Sequence, residues 1–109
     1  ILLGLVGSEM CIRDRYVEPE DINKDFQKIY EDYYADEKLV KVLKKGTVPE
    51  ITNISGMPIC EIAVSAKISS NKLIINAALD NLLKGAASQA VQCFNLMHDI
   101  DEFHSLKYW

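Results

Sequence analysis

Chemistry in this chain would fall to its thiols and imidazoles: Cys11, Cys60, Cys93, His98 and His104. Cys60 stands in an alternating apolar run, and Cys93 stands in a helical stretch with no basic neighbour. Neither has an evident group to lower its pKa, so both read as buried structural thiols. His98 and His104 follow Cys93 among Asp99, Asp101 and Glu102, at spacings loosely reminiscent of metal ligands. The pattern lacks a second paired ligand set and lies near a terminus, so no metal site is expected. There is no Gly-x-Gly-x-x-Gly, no P-loop and no spacing that recommends a Ser-His-Asp set. From these residues alone no catalytic constellation emerges.

The elements that would position such groups are bounded by size and composition. The 109 residues suffice for one modest domain. With 49% hydrophobic and 26% charged residues, the composition is that of a soluble globular segment. A net charge of -4 offers no footprint for nucleic acid. Lys41, Lys44 and Lys45 form the basic cluster, read as a solvated strand edge. An odd number of cysteines without short paired spacing argues against a disulfide framework and for a reducing, cytoplasmic compartment. No apolar run is long enough to cross a bilayer.

Residues 1–15 do not read like the rest. No basic stretch precedes the short apolar run at Ile1–Val6, as a signal peptide would require. Val6 to Arg15 resembles the translation of sequencing-adapter read-through, so the segment is expected to carry no function and its deletion to leave folding unchanged.

Pro19 to about Tyr34 is expected to be a helix, with Ile22, Phe26, Ile29, Tyr30 and Tyr33 on one face and Glu20 and Asp21 near its positive end. The tyrosines on that face read as core or interface residues rather than a stacking site. Leu39 to Lys44 reads as a short strand ended by Gly46, and Thr47 to Pro58 as an irregular connection containing Pro49 and Gly56. Cys60, Ile62, Val64, Ala66 and Ile68 alternate with Glu61, Ser65 and Lys67, a strand with one buried face. Ser69, Ser70 and Asn71 supply a turn, and Lys72 to Leu79 returns as its antiparallel partner.

Asp80 and Asn81 then lead directly into a last helix reaching Met97. Gly85, Ala86, Ala87 and Ala90 form a stripe of small residues, broadened by Leu83, Val91, Phe94 and Met97. Lys84, Ser88, Gln92 and Asn95 should form the wet side. Asp80 and Asn81 suit a helix cap, and the helix start offers free N–H groups to a ligand.

The run Asp80-Asn81-Leu82-Leu83-Lys84-Gly85-Ala86-Ala87, with Gln89-Ala90-Val91-Gln92 and Asn95-Leu96-Met97, closely resembles the terminal helix of N-acetyl-gamma-glutamyl-phosphate reductases. Gly56-Met57-Pro58-Ile59-Cys60-Glu61-Ile62 is similar to the Gly-x-x-x-Cys-Asp-Ile stretch of the same enzymes. The likeness covers about Tyr16 to Phe103. It implies an NADPH-dependent enzyme of the semialdehyde-dehydrogenase group, converting N-acetyl-glutamyl phosphate to the semialdehyde in arginine biosynthesis. In that family a cysteine attacks the acyl phosphate and hydride reduces the resulting thioester.

The glycine-rich loop, the Pro-Gly-Cys segment and the His-Arg-His segment of the family do not occur here, and Cys60 matches a non-catalytic position. One residue carries over. Asn81 matches an asparagine facing the nicotinamide end of the cofactor, where an amide can both donate and accept. Helix capping is its other reading.

The expectation is therefore a partial α+β unit. Residues 1–15 form a leader, 16–79 the end of the catalytic and dimerisation domain, and 80–109 a helix returning to an absent Rossmann domain, plus a tail. A homo-oligomer is expected, with no nucleic-acid or membrane partner. A related aminoadipyl- or aspartyl-phosphate reductase and a stand-alone interaction module are the alternatives.

Overall fold

The structure is a computed structural model that describes residues 10–106. Its centre is the expected hairpin. Strands β3 (Cys60–Lys67) and β4 (Lys72–Asp80) pair antiparallel from Cys60↔Leu79 to Lys67↔Lys72. The turn between them is a short 3-10 segment, Ile68–Ser70, closed by Asn71 in the left-handed region at φ 50°. Asparagine tolerates that region because its short side chain satisfies nearby backbone groups.

Strand β2 (Val40–Val42) adds to β3 in parallel, with Val40 opposite Cys60 and Val42 opposite Ile62. Strand β1 (Met10–Val17) adds to β4 antiparallel, giving the order β1-β4-β3-β2. Helix α1 (Phe26–Tyr33) lies against the sheet, a four-residue helical turn α2 (Ile51–Ile54) sits in the β2–β3 crossover, and α3 (Ser88–Met97) follows β4. The fold is α+β, as the sequence implied.

Strand β1 was not among the expected elements. The boundary placed after Arg15 falls inside it, and its register runs unbroken from Met10↔Asp80 to Val17↔Leu73. The side chains from Ile12 to Val17 are nevertheless exposed, so the strand is held by main-chain hydrogen bonds and by the Asn76 amide donating to Asp14. Main-chain pairing is largely indifferent to sequence, which is why no apolar alternation announces this strand. Deleting residues 1–15 bares most of the β4 edge. We expect the thermal midpoint to fall by roughly 5–10 °C, the equivalent of about 1–2 kcal/mol in a domain of this size. An unchanged midpoint in a calorimetric scan would bear out the sequence expectation instead.

Helix α1 begins seven residues later than Pro19. Asp21 is drawn into a turn by accepting the Asn23 N–H at 3.0 Å, and Asp25 caps the helix by accepting the Lys28 N–H at 3.1 Å. Its inner face also differs. Phe26, Tyr30 and Tyr34 pack onto Ile62, Val64 and Leu73, whereas Ile29 and Tyr33 point outward. Gln27 joins the inner side by donating to the Leu43 carbonyl at 2.8 Å.

The crossover is less irregular than its composition suggests: α2 buries Ile54 completely and packs on β4. Strand β3 is buried on both faces over Glu61–Val64, not on one. On the second face lies Glu61, 1% exposed, with Oε1 3.6 Å from Lys41 Nζ and no hydrogen-bond partner for Oε2 among the described residues. A second core cluster, Leu39, Ile59 and Leu106 with Met57 and Phe103, brings residues beyond α3 back to the β2 end of the sheet.

A candidate cofactor-facing turn

The end of β4 carries Asp80 and Asn81, the pair singled out at the start of the last helical segment. Period-two alternation turns Leu79 to one face and Asp80 to the other, and Asp80 is 5% exposed. Its Oδ1 accepts the Leu82 N–H at 2.9 Å, and its Oδ2 accepts the Gly56 N–H at 2.9 Å. Gly56 stands at φ 73°, in the left-handed region that suits glycine. One carboxylate therefore fastens the loop before β3 to the start of the last helical segment. Sequence reasoning treated Asp80 only as one of two caps; its inward placement follows from the strand alternation.

Asn81 is exposed, one residue beyond that anchor. The cap belongs to Asp80, since neither Leu82 nor Ala87, at the helical starts, makes a side-chain cap. The chain then runs through a π-helical turn, Leu83–Ala87, in which the Ala87 N–H reaches the Leu82 carbonyl at 3.0 Å. The wider winding admits one more residue before the regular helix.

The side of α3 expected to be wet is the one turned inward. Ser88 and Asn95 are buried, at 5% and 3% exposed, and Lys84 and Gln92 are half-buried. Val91, Phe94 and Met97 are exposed, as are Gly85, Ala86, Ala87 and Ala90. Hydrogen bonds explain the reversal. Asn95 Nδ2 donates to the Glu102 and His104 carbonyls at 3.2 and 3.0 Å, and Lys84 Nζ donates to Gln92 Oε1 at 2.6 Å. Gln92 Nε2 donates in turn to Glu102 Oε2 at 3.1 Å. Polar side chains thus bind the segment after the helix, and the apolar stripe is left open.

Burial pushes the Cys60 thiol above its usual range, against the charge of Lys84, which pulls it down, while Glu61 adds to the rise. Lys84 is lowered, chiefly by burial, although Cys60, Glu102, Cys93 and Glu37 all act to raise it. A raised thiol carries little thiolate at neutral pH and makes a poor nucleophile. Cys93 is exposed, with the Gln89 amide 3.7 Å from its sulfur. Iodoacetamide at pH 7.5 is therefore expected to label Cys93 several-fold faster than Cys60, read by intact mass with peptide mapping. Equal rates would refute this.

His98 packs its ring against Phe94, with centroids 4.3 Å apart. Among the described residues no group of three or more His, Cys, Asp or Glu side chains converges as metal ligands do. Nor, among them, is any helix long and apolar enough to cross a membrane.

A mixed four-stranded sheet backed by one helix, with β4 feeding α3 through the exposed Asn81, is the architecture around this turn. The chain belongs to the semialdehyde dehydrogenase dimerisation-domain family, whose description matches residues 13–81. That match starts inside β1 and ends on Asn81. Among curated relatives, the N-acetyl-gamma-glutamyl-phosphate reductase of Thermoanaerobacter pseudethanolicus is 44% identical over 99 residues, covering 91% of this chain and 28% of that protein. The enzyme of the same name from Acinetobacter baylyi is 47% identical over 83 residues, covering 76% of this chain and 24% of that protein. For Marinobacter nauticus the figures are 38% over 96 residues, 88% and 28%. The chain thus spans about a quarter of the length of the curated relatives it matches.

Proposed function

We propose that this chain is the C-terminal part of a cytoplasmic, homo-oligomeric N-acetyl-gamma-glutamyl-phosphate reductase, which uses NADPH to reduce an acyl phosphate to a semialdehyde in arginine biosynthesis. The observation that carries this reading is identity of 36–47% to reductases of that name over most of the chain. In this reading residues 16–79 complete the dimerisation domain and residues 80–109 return to the nucleotide-binding part. The exposed stripe of Leu82, Val91, Phe94 and Met97 fits that return, because an uncovered apolar face is stabilised by a partner surface.

Within that enzyme the nucleophilic cysteine and the catalytic histidine belong to the remaining three quarters. Cys60 is a structural thiol, consistent with its raised pKa. NADPH, when bound, supplies the hydride. The turn after β4 fits the carboxamide end of that cofactor: Asn81 is exposed, and the neighbouring Gly85 presents no side chain against it. The Asn81 amide would hold that carboxamide, donating to its oxygen and accepting from its NH2. Asp80 supports it from the buried side by holding the turn.

The test is a complete reductase, the Thermoanaerobacter enzyme with its C-terminal segment replaced by this chain's residues 16–106. Asn81→Ala is expected to raise the KM for NADPH about three- to tenfold, the range for one net hydrogen bond, and to leave the KM for the acyl phosphate unchanged. An unchanged KM for NADPH would count against the cofactor role.

A further inference from the structure

We infer that Gly85 is a positioning residue for the cofactor-facing amide, because its missing side chain leaves the seat that Asn81 occupies. A Cβ at position 85 would lie 2.9 Å from Asn81 Oδ1, 3.1 Å from Leu79 Cδ1 and 3.6 Å from the Asp80 carbonyl oxygen. Real Cβ atoms essentially never come as close as the first of these, so something must move.

The backbone at Gly85 does not itself call for glycine. Gly46 and Gly56 take positive φ, and Gly85 does not. In helical conformation alanine is the better residue, since glycine loses more conformational freedom on ordering. Nothing local therefore favours glycine except what lies in front of it. That neighbour is the amide end of Asn81, an exposed and flexible side chain, followed by the end of the Leu79 side chain.

The group that yields to a Cβ is thus the amide, not the fold. Alanine at 85 would push the Asn81 amide off its seat against the π turn while leaving the Asp80 anchor intact. Gly85 acts through Asn81, and the inference rests on the reading of Asn81 as a cofactor contact.

The experiment uses the same chimeric reductase in four forms: unsubstituted, Gly85→Ala, Asn81→Ala and the double variant. Thermal midpoint, kcat and both KM values are measured for each. Gly85→Ala is expected to raise the KM for NADPH about three- to tenfold, with the acyl-phosphate KM unchanged and the midpoint held or raised. The double variant should be no worse than Asn81→Ala alone, because the displaced group is then absent. Multiplied effects in the double variant overturn the inference, as does a lowered midpoint in Gly85→Ala, which would put the clash on Leu79 and the backbone. If Asn81→Ala raises the KM and Gly85→Ala does not, the positioning role alone fails. If Asn81→Ala changes nothing, the cofactor reading fails and takes this one with it.

Discussion

Replacing Asp80 by alanine is expected to cost the domain about 3 kcal/mol or more, since each hydrogen bond to a buried carboxylate contributes about 1.5–3 kcal/mol. The carboxylate is 5% exposed and serves two donors from segments that are not neighbours in sequence, Gly56 and Leu82, both at 2.9 Å. Alanine leaves both N–H groups without their acceptor. It also frees the loop that carries Pro58 and Ile59, both buried, into β3. In a domain of about this size the thermal midpoint should fall by more than about 10 °C. Asp80→Asn keeps one acceptor oxygen but turns an NH2 toward the other N–H, so it should recover less than half of the loss. A midpoint within about 3 °C of the parent for Asp80→Ala would mean that the two donors find other acceptors at no cost.

Much of the sheet was legible because alternation is a local signal. The hairpin registers Cys60 against Leu79 as the apolar period requires, and Ser70 and Asn71 close it. What alternation does not reveal is how many faces are covered. Glu61 is polar and so was read as outward, yet it is buried, with the Lys41 ammonium of β2 beside it. Helical period has the same blind spot: it groups residues into faces without saying which face meets the rest of the protein. In α3 the grouping of Ser88, Gln92 and Asn95 held, but their side was wrong, because the segment after the helix offers Gln92 a carboxylate and Asn95 two carbonyls. At the turn before α3 the pair Asp80-Asn81 gave one capping signal for two residues. The strand's pleat decides between them, turning Asp80 inward and leaving Asn81 to solvent. β1 was illegible for a different reason, since its contribution is main-chain pairing.

The second large effect is expected at Asn95, the polar residue on which that reversal turns. Its side chain is 3% exposed and donates to the carbonyls of Glu102 and His104, while its own carbonyl accepts the N–H groups of His98 and Ile100 at 3.2 and 2.9 Å. The chain after the helix bends through Asp99 and Ser105, both at positive φ, conformations that non-glycine residues hold mainly when other contacts fix them. The side-chain amide supplies those contacts, and it thereby delivers Leu106 to Leu39 and Ile59 in the core. Asn95→Ala strands two carbonyls and loosens Leu106, at a cost of about 2–4 kcal/mol. Asn95→Asp should be at least as damaging, because a carboxylate accepts and cannot donate to carbonyl oxygens. Both variants should show a lower urea midpoint with faster proteolytic cleavage between residues 99 and 105. Cleavage at the parent rate, with an unchanged midpoint, would show that Gln92, Phe103 and Leu106 hold the segment after α3 without the Asn95 amide.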